Sequence, residues 1–251
     1  MKFSVLRMSA AVREWGPRQR SPVILLGIPG PGLVGVIAAD YLIEKKGLTE
    51  AGVIETPATP PIATVKEGVI VSPLRLYAGD GIYVIKSDVP LLPSAFASLV
   101  EGVMNWAMEK RPKMAVYLGG VPDNQRMEVE RPEVYVIFNN QDARQIASEV
   151  KASKLSDGLL SGYPVMFLWA ARKRGIPAMV LMAQSYLKYP DPGASAETLR
   201  ALFPLIGELD LGELEAKSEA IRLKLKDLME QTSQVMAQGA EEMKAIPAYI
   251  A

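Results

Sequence analysis

An uninterrupted apolar run at residues 23–28, VILLGI, is followed at once by a glycine-rich turn. A short run of this kind, bounded by prolines, predicts a strand that is buried on both faces. The segment after it, GLVGVIAADYLIEKK, predicts a helix that ends at Gly47. A second apolar strand is predicted at 51–55. This strand–helix–strand start restricts the chain to a layered α/β fold.

Strands and helices continue to alternate along the chain. The pair Asp80-Gly81 lies between two β-like runs and predicts an antiparallel hairpin at 74–87. Apolar periodicity predicts further strands at 114–120, 133–138 and 177–183, and helices at 94–109, 142–150 (N-cap Gln141 or Asp142), 162–175 and 195–206. We therefore expect residues 1–207 to form one domain, a three-layer α/β/α sandwich with a mixed, mainly parallel sheet of the phosphorylase or hydrolase type.

The last part of the chain, 208–251, differs in character and predicts a long C-terminal helix with a short tail. Residues seven apart within the charged stretch 212–245 are apolar, namely Leu214, Ile221, Leu228 and Val235. This spacing forms an imperfect heptad seam. Two interpretations are open: the helix packs on its own domain, or it serves self-association or reaches a partner.

Two missing residue types limit the chemistry. The 251 residues contain neither His nor Cys, which excludes Ser-His-Asp triads, Cys-His dyads and zinc sites built on those ligands. The formal net charge is +0, which argues against nucleic acid or an anionic membrane as the main partner. The chain shows no signal-peptide pattern and no long apolar stretch, so we expect a cytoplasmic protein. We expect neither a metal nor a cofactor. Few Asn and no Cys are typical of some heat-adapted, thermophile proteins.

The glycines Gly30, Gly32 and Gly35 have the spacing G-x-G-x-x-G of a dinucleotide-binding loop, and Glu55 ends the next predicted strand, where a ribose-binding carboxylate would lie. Pro31 argues against this interpretation, because proline has no N–H to offer a phosphate. We favour a structural turn whose small residues let the helix approach the sheet. Nucleotide binding at this loop is the alternative.

Other polar or small residues at predicted turns are candidate site residues. A ligand site at the carboxyl ends of the strands would draw on Gly119, Gly120, Asp123 and Asn124, and carboxylates at other turns are Asp80, Asp88 and Asp157. Asp in turns commonly bonds its own backbone, which is the simpler interpretation. Gly158 and Gly162 are predicted to shape a turn in which Ser161 caps the following helix rather than acting as a nucleophile. An exposed loop with Tyr186, Lys188 and Tyr189 is compatible with a partner surface.

Two stretches together resemble the proteasome assembly chaperone 2 family. The first is the glycine turn GIPGPGLVGVIAADYLI, and the second is SDGLLSGYPVMFLWAARKRGIPAMVLMAQSYLKYPDPGASAETLRAL at 156–202. The second stretch contains an Asp-Gly pair, a glycine-containing turn into a helix, Gly-Ile-Pro-Ala before a strand, and Pro-Asp-Pro before the next helix. The order and spacing of these motifs agree over most of the chain.

This resemblance implies a fold similar to purine nucleoside phosphorylases without their active site, and assembly into homo-oligomers. It further implies that archaeal members associate with the proteasome core particle through a C-terminal tail that ends hydrophobic–Tyr–any residue and enters pockets between α subunits. This chain ends IPAYIA, with Tyr249 one position earlier than in that motif. The partner-binding residues implied are Ala248, Tyr249, Ile250 and Ala251.

The function expected from the sequence is therefore that of a non-enzymatic, homo-oligomeric chaperone-like protein. It would bind the proteasome core particle or its α subunits, partly through the C-terminal helix and tail. The alternative is an enzyme that processes nucleosides or nucleotides, or a nucleotide-binding protein that uses the Gly30–Gly35 loop.

Overall fold

The computed structural model describes residues 10–56, 62–216 and 218–244, and its centre is a nine-stranded mixed sheet. The strands of this sheet are β1 (Ala11–Glu14), β2 (Val23–Gly27), β3 (Thr49–Glu55), β6 (Leu74–Gly79), β7 (Ile82–Ser87), β8 (Met114–Pro122), β9 (Val134–Phe138), β10 (Ser153–Lys154) and β11 (Ala178–Ser185). They lie in the order β1-β3-β6-β7-β2-β8-β11-β9-β10. A separate two-stranded hairpin comprises β4 (Thr64–Lys66) and β5 (Val69–Val71).

The four central strands, β7, β2, β8 and β11, are parallel to one another, and antiparallel pairs flank them on both sides. Every residue of β2 is buried, as its apolar run predicts. The predicted hairpin at 74–87 is present. Its turn residues Asp80 and Gly81 have φ of 51° and 72°, the left-handed values that a tight hairpin turn requires.

Helices cover both faces of the sheet, which confirms the predicted three-layer architecture. The helices of the two layers are α1 (Val34–Lys46), α2 (Pro93–Lys110), α3 (Gln141–Ile146), α4 (Tyr163–Lys173) and α5 (Pro192–Ile206). One apolar core lies between the sheet and α2 with α4, and it includes Phe96 and Phe167. The other lies between the sheet and α1 with α5, and it includes Leu42 and Leu199. No helix within the described ranges is both long and apolar enough to cross a membrane.

The structure corrects three details predicted from the sequence. The strands of the first strand–helix–strand unit, β2 and β3, are not neighbours, because β6 and β7 lie between them. Helix α3 starts one residue before the predicted 142–150 helix and ends at Ile146, and its N-cap is Asn140, whose side chain accepts from the N–H of Ala143. The β4–β5 hairpin was not predicted; it turns at Glu67 and Gly68, both with positive φ.

The C-terminal segment forms α6 (Gly212–Ala216), α7 (Ser218–Lys224) and α8 (Lys226–Lys244). Helical hydrogen bonding continues through Leu225, whose N–H donates to Ile221 and whose carbonyl accepts from Met229. Leu214 and Met229 are each 1% exposed and join the core beside α1 and α5. Of the seam residues, Ile221 and Leu228 are also partly buried against this core, so most of the seam packs on the body of its own chain, as the first of the two interpretations expects.

One carboxylate anchors the edge strand β1 to the sheet and to helix α2. Glu14 accepts hydrogen bonds from the hydroxyl of Tyr83 at 2.6 Å and from Nε1 of Trp106 at 2.9 Å, and it pairs with Lys110. The rings of Tyr83 and Trp106 meet edge to face at 5.0 Å between centroids. Burial raises the pKa of Glu14, but the three donors outweigh burial and hold the pKa below its ordinary 4.5.

This cluster predicts a pH-dependent contribution to stability. Glu14→Gln loses the ion pair, and we expect it to lower the free energy of unfolding by about 1–3 kcal/mol near neutral pH. Because folding lowers the pKa of Glu14, its stabilisation is present above the ordinary carboxyl pKa and is lost as the pH falls through the folded value. The difference between wild type and variant should therefore shrink in acid, as measured by urea unfolding across the acidic range.

The matched control is Glu55→Gln on the neighbouring strand, because Glu55 forms an ion pair with Arg13 in which both side chains are more than half exposed. We expect Glu55→Gln to change the free energy of unfolding by no more than about 0.5 kcal/mol at any pH. A Glu14→Gln effect no larger than the control, or one that persists unchanged in acid, would contradict the anchoring role.

Candidate functional site

The carboxyl ends of β2, β8 and β11 meet at one edge of the sheet, which is where α/β folds usually bind ligands. Three segments meet there: the glycine turn after β2, the loop after β8, and the loop 186–191 after β11. We call this region the carboxyl edge. Backbone hydrogen bonds connect the segments, since the N–H of Asp191 donates to Gly32 O at 2.8 Å and the N–H of Asp123 donates to Ser185 O at 3.0 Å.

The glycine turn is a single 3₁₀ turn, Pro31–Leu33, that leads into α1. Gly32 has φ of +62°, and Leu33 N–H donates to Gly30 O at 2.9 Å. A Cβ at Gly32 would lie 2.9 Å from the Cβ of Ser185, so a side chain there is excluded. Gly30 is extended and has nothing within 4 Å of a built Cβ, so any residue fits its conformation and surroundings. Of Gly30 and Gly32, only Gly32 is therefore required by the turn.

The third glycine serves close packing between α1 and the sheet. A Cβ at Gly35 would overlap the carbonyl oxygen of Leu118 on β8. On the other side of the turn, a Cβ at Gly120 would lie 2.5 Å from Pro31 O. Helix α8 also packs against the turn. Beside Gly32, Gly35 and Gly120 the turn is therefore packed directly against other parts of the protein.

A buried ion pair lies at the centre of the carboxyl edge. Asp191 is 0% exposed and accepts two hydrogen bonds from Arg126, from Nε at 2.7 Å and from Nη2 at 2.9 Å. Its Oδ1 also accepts from the N–H of Ala194 at 3.0 Å and so caps α5. Arg126 donates its remaining nitrogen, Nη1, to Val129 O at 2.6 Å. With its groups satisfied in this way, the pair has a positioning role and leaves little capacity for a ligand.

The ring of Tyr186 contacts two guanidinium groups. The carbon of the Arg126 guanidinium is 5.0 Å from the centroid of its ring, and that of Arg222 on α7 is 5.8 Å away. Arg222 also donates to Pro190 O at 3.4 Å. These contacts attach the C-terminal helices to the loop after β11. Of the other loop residues predicted as a partner surface, Lys188 is exposed and Tyr189 is 68% exposed.

The carboxylates considered as catalytic candidates are dispersed over the fold. Asp80 pairs with Lys46, Asp88 pairs with Arg75 and Lys86, and Asp157 lies in an exposed loop. Asp123 accepts from the N–H of Gln125 at 2.8 Å, which is a local turn contact, and from Gln184 at 2.8 Å. Within the part of the chain that the structure describes, no three acidic residues group as metal ligands would. Asn124 is exposed beside Asp123, whereas Gly119 and Gly120 are buried in β8.

The turn before α4 and the C-terminal tail were also predicted to contain functional or structural residues. Gly158 and Gly162 have φ of 153° and 76°, values that favour glycine. The residue that precedes α4 as its N-cap is Gly162 and makes no side-chain cap, so the expectation that Ser161 caps this helix is wrong. The predicted partner-binding residues, Ala248, Tyr249, Ile250 and Ala251, lie outside the described residues.

Sequence reasoning missed the Arg126–Asp191 pair. A signal for Asp191 was present, because Asp followed by Pro is a common N-cap and first helical residue. No local pattern marks Arg126, which lies in a polar loop and becomes buried only when the loops after β8 and β11 meet. Glu55, the proposed ribose ligand, ends β3, which β6 and β7 separate from β2.

Comparison with known proteins gives consistent similarities. The model of the PAC2 family matches residues 24–229. An uncharacterized protein of Methanocaldococcus jannaschii is 28% identical over 233 residues, 92% of this chain and 93% of that protein.

Two solved structures from Pyrococcus furiosus share the fold. PbaA, described as an archaeal homolog of proteasome-assembly chaperone, has a TM-score of 0.81 at 24% identity, with 90% of this chain and 99% of that chain covered. PbaB, described as an archaeal proteasome activator, has a TM-score of 0.73 at 18% identity, with 88% and 99% covered.

The glycine turn offers a matched pair of substitutions. Gly32→Ala forces a side chain into a left-handed backbone and against Ser185, and we expect a loss of stability of about 2 kcal/mol or more. Gly30→Ala, two residues away, should change the free energy of unfolding by no more than about 0.5 kcal/mol. Urea unfolding of both variants measures the difference. Equal effects at the two positions would contradict the packing role of the turn.

The buried ion pair gives a second prediction. Arg126→Met leaves Asp191 buried without its charged partner, and we expect a loss of about 3–5 kcal/mol. The control is Arg131→Met in the same loop, at an exposed position, with an expected change within about 0.5 kcal/mol. Thermal and urea unfolding at neutral pH check both values. An Arg126→Met variant as stable as its control would show that the pair is dispensable.

Proposed function

The chain belongs to the PAC2 family, and from this premise we propose that it is a non-catalytic, homo-oligomeric chaperone-like protein that binds the proteasome core particle or its α subunits. The observation that carries the proposal is the family match over residues 24–229. The similarity of fold to PbaA and PbaB, which are described as a proteasome-assembly chaperone homolog and a proteasome activator, supports it. A proteasome partner implies a cytoplasmic location.

The close packing around the glycine turn supports the non-catalytic part of the proposal. An enzyme or nucleotide-binding protein of this fold would need open space where the glycine turn meets β8 and β11. The side chains of Ser185 and Asp191 and the helix α8 take up that space. We propose that Gly32, Gly35, Gly158 and Gly162 act structurally, and that Gly30 belongs to the same turn without being required by it.

The C-terminal segment is the proposed docking element. In this proposal residues 1–207 are the body, and residues 208–251 carry the helices α6 to α8 and the tail. The helices are held by the contacts of Leu214, Met229 and Arg222 described above. Seven residues follow Lys244, and an extended chain of that length reaches at most about 25 Å, enough to enter a pocket on a partner.

Oligomerisation would multiply the effect of a weak tail. Identical tails held on one assembly bind a ring of α subunits multivalently, so that the effective concentration of each further tail is high. Because multivalent binding strengthens weak contacts, a tail whose tyrosine is displaced by one position could still support binding. The body need only place the tails at a spacing that the ring matches.

The proposal predicts that the tail controls binding to the core particle of the same organism. A chain that ends at Ala245, and separately the variant Tyr249→Ala, should each bind at least about tenfold more weakly than the full chain, because every tail in the assembly loses its contact. Surface plasmon resonance with immobilised core particle measures the affinities, and light scattering measures the oligomeric mass of each protein.

Leu223→Ala is the control, because Leu223 is 70% exposed on α7 and lies outside the tail. Its affinity should equal that of the full chain. Binding that survives truncation would remove the tail from the mechanism, and failure of the full chain to bind would overturn the proteasome partner itself.

A further inference from the structure

A cationic groove lies along one side of the sheet and is lined by residues outside the carboxyl edge. It has a volume of about 710 Å³, and we call it the β9 groove. Its lining residues are Val136, Ile137, Phe138, Asn139, Asn140, Gln141, Arg144, Lys154, Leu155, Ser156 and Arg172. The lining contains three cationic side chains and no carboxylate. Neither the family match nor the proposed function assigns it a role.

The floor of the groove includes an incomplete sheet edge. Strand β10 pairs with β9 only at Ser153 and Lys154, opposite Tyr135 and Val136. On its other side β9 pairs with β11 as far as Phe138, so the last two residues of β9 have a strand neighbour on one side only among the described residues. The N–H of Asn139 donates to Ala178 O on the β11 side. Because these groups alternate along a strand, the backbone groups of Phe138 face the groove.

Charge in the groove is not neutralised within the described residues. Arg144 and Lys154 are exposed and form no ion pair there. The third cation, Arg172, is held in place: its Nη1 donates to Asn139 O at 2.9 Å, and its guanidinium carbon lies 5.5 Å from the ring centroid of Trp169. The groove therefore presents one fixed and two adjustable positive charges beside a free strand edge.

Apolar surface accompanies the charge. Leu155 is 46% exposed, and Ile137 and Phe138 are half-buried. A free backbone edge, with pockets for alternate side chains and flanking charges, is the arrangement by which sheets take up an extended peptide as an added strand. The groove supplies the free backbone edge at Phe138 and the flanking charges, together with exposed apolar surface at Leu155.

We infer that the β9 groove binds an extended acidic segment of a partner protein, which adds as a strand to β9 in the gap beyond Lys154. Backbone hydrogen bonds to Phe138 provide the alignment, and Arg144, Lys154 and Arg172 select carboxylates. A second copy of this chain is a poor occupant, because a symmetric pairing of these edges brings Arg144 and Lys154 of one copy against their own counterparts. This inference does not rest on the proposed function.

The test uses the full chain and a fluorescein-labelled peptide that alternates glutamate and valine. We expect saturable binding by fluorescence anisotropy, which weakens as salt rises from about 50 mM to about 300 mM because the attraction is screened. Arg144→Glu with Lys154→Glu should weaken binding at least tenfold. Both side chains are exposed, so circular dichroism melting should show an unchanged fold. The matched control is Lys113→Glu, an exposed cation outside the groove, which should leave affinity within twofold.

Two further probes separate strand addition from simple charge attraction. The same peptide with alternate amides N-methylated keeps its charge but loses its donors, and it should bind at least tenfold more weakly. A lysine-valine peptide should not bind. Equal binding by the methylated peptide, or equal loss with Lys113→Glu, would overturn the inference. The inference would also be overturned if the peptide did not bind and the groove variants instead abolished self-association of the chain.

Discussion

Asp191 joins three parts of the molecule through one buried carboxylate. It caps α5, receives both forks of Arg126 from the loop after β8, and accepts the N–H of Tyr186 from its own loop at 3.3 Å. A carboxylate that is fully removed from water is tolerated only when its oxygens are satisfied in this way. This requirement also fixes the C-terminal helices, because Arg126 packs on the ring of Tyr186 and that ring in turn contacts Arg222 on α7.

The glycine turn shows how a similar sequence spacing can serve a different physical purpose. In a dinucleotide-binding loop the glycines allow a ligand to approach the backbone. Here Gly32 and Gly35 allow other parts of the same chain to approach, namely Ser185 and Leu118. Pro31 is compatible with this role, because the turn is stabilised by packing and needs no N–H at that position for a phosphate. The same residue that argues against a nucleotide is therefore consistent with the observed structure.

Features that depend on neighbours in sequence were predictable, and features that depend on distant contacts were not. The Asp80-Gly81 turn and the fully buried β2 follow from local residue types, and both are present. The place of β3 beyond β6 and β7 depends on long-range strand pairing, which leaves no local pattern. The burial of Arg126 is likewise a tertiary event. The Leu214–Val235 seam predicted helical structure correctly, although the structure has three consecutive helices in place of one, and it could not say which surface they would contact.

The close packing around the glycine turn limits where this chain can bind other molecules. Fully buried parallel strands leave no free backbone in the middle of the sheet, and Ser185, Asp191 and α8 pack against the glycine turn. The binding that we propose therefore uses other parts of the chain: the segment after Lys244 and the short ladder between β9 and β10. A ladder of only two residue pairs protects little of its neighbour, and the cations beside it repel a like edge while attracting an acidic strand. Such an edge combines protection against self-pairing with selectivity for a partner of opposite charge.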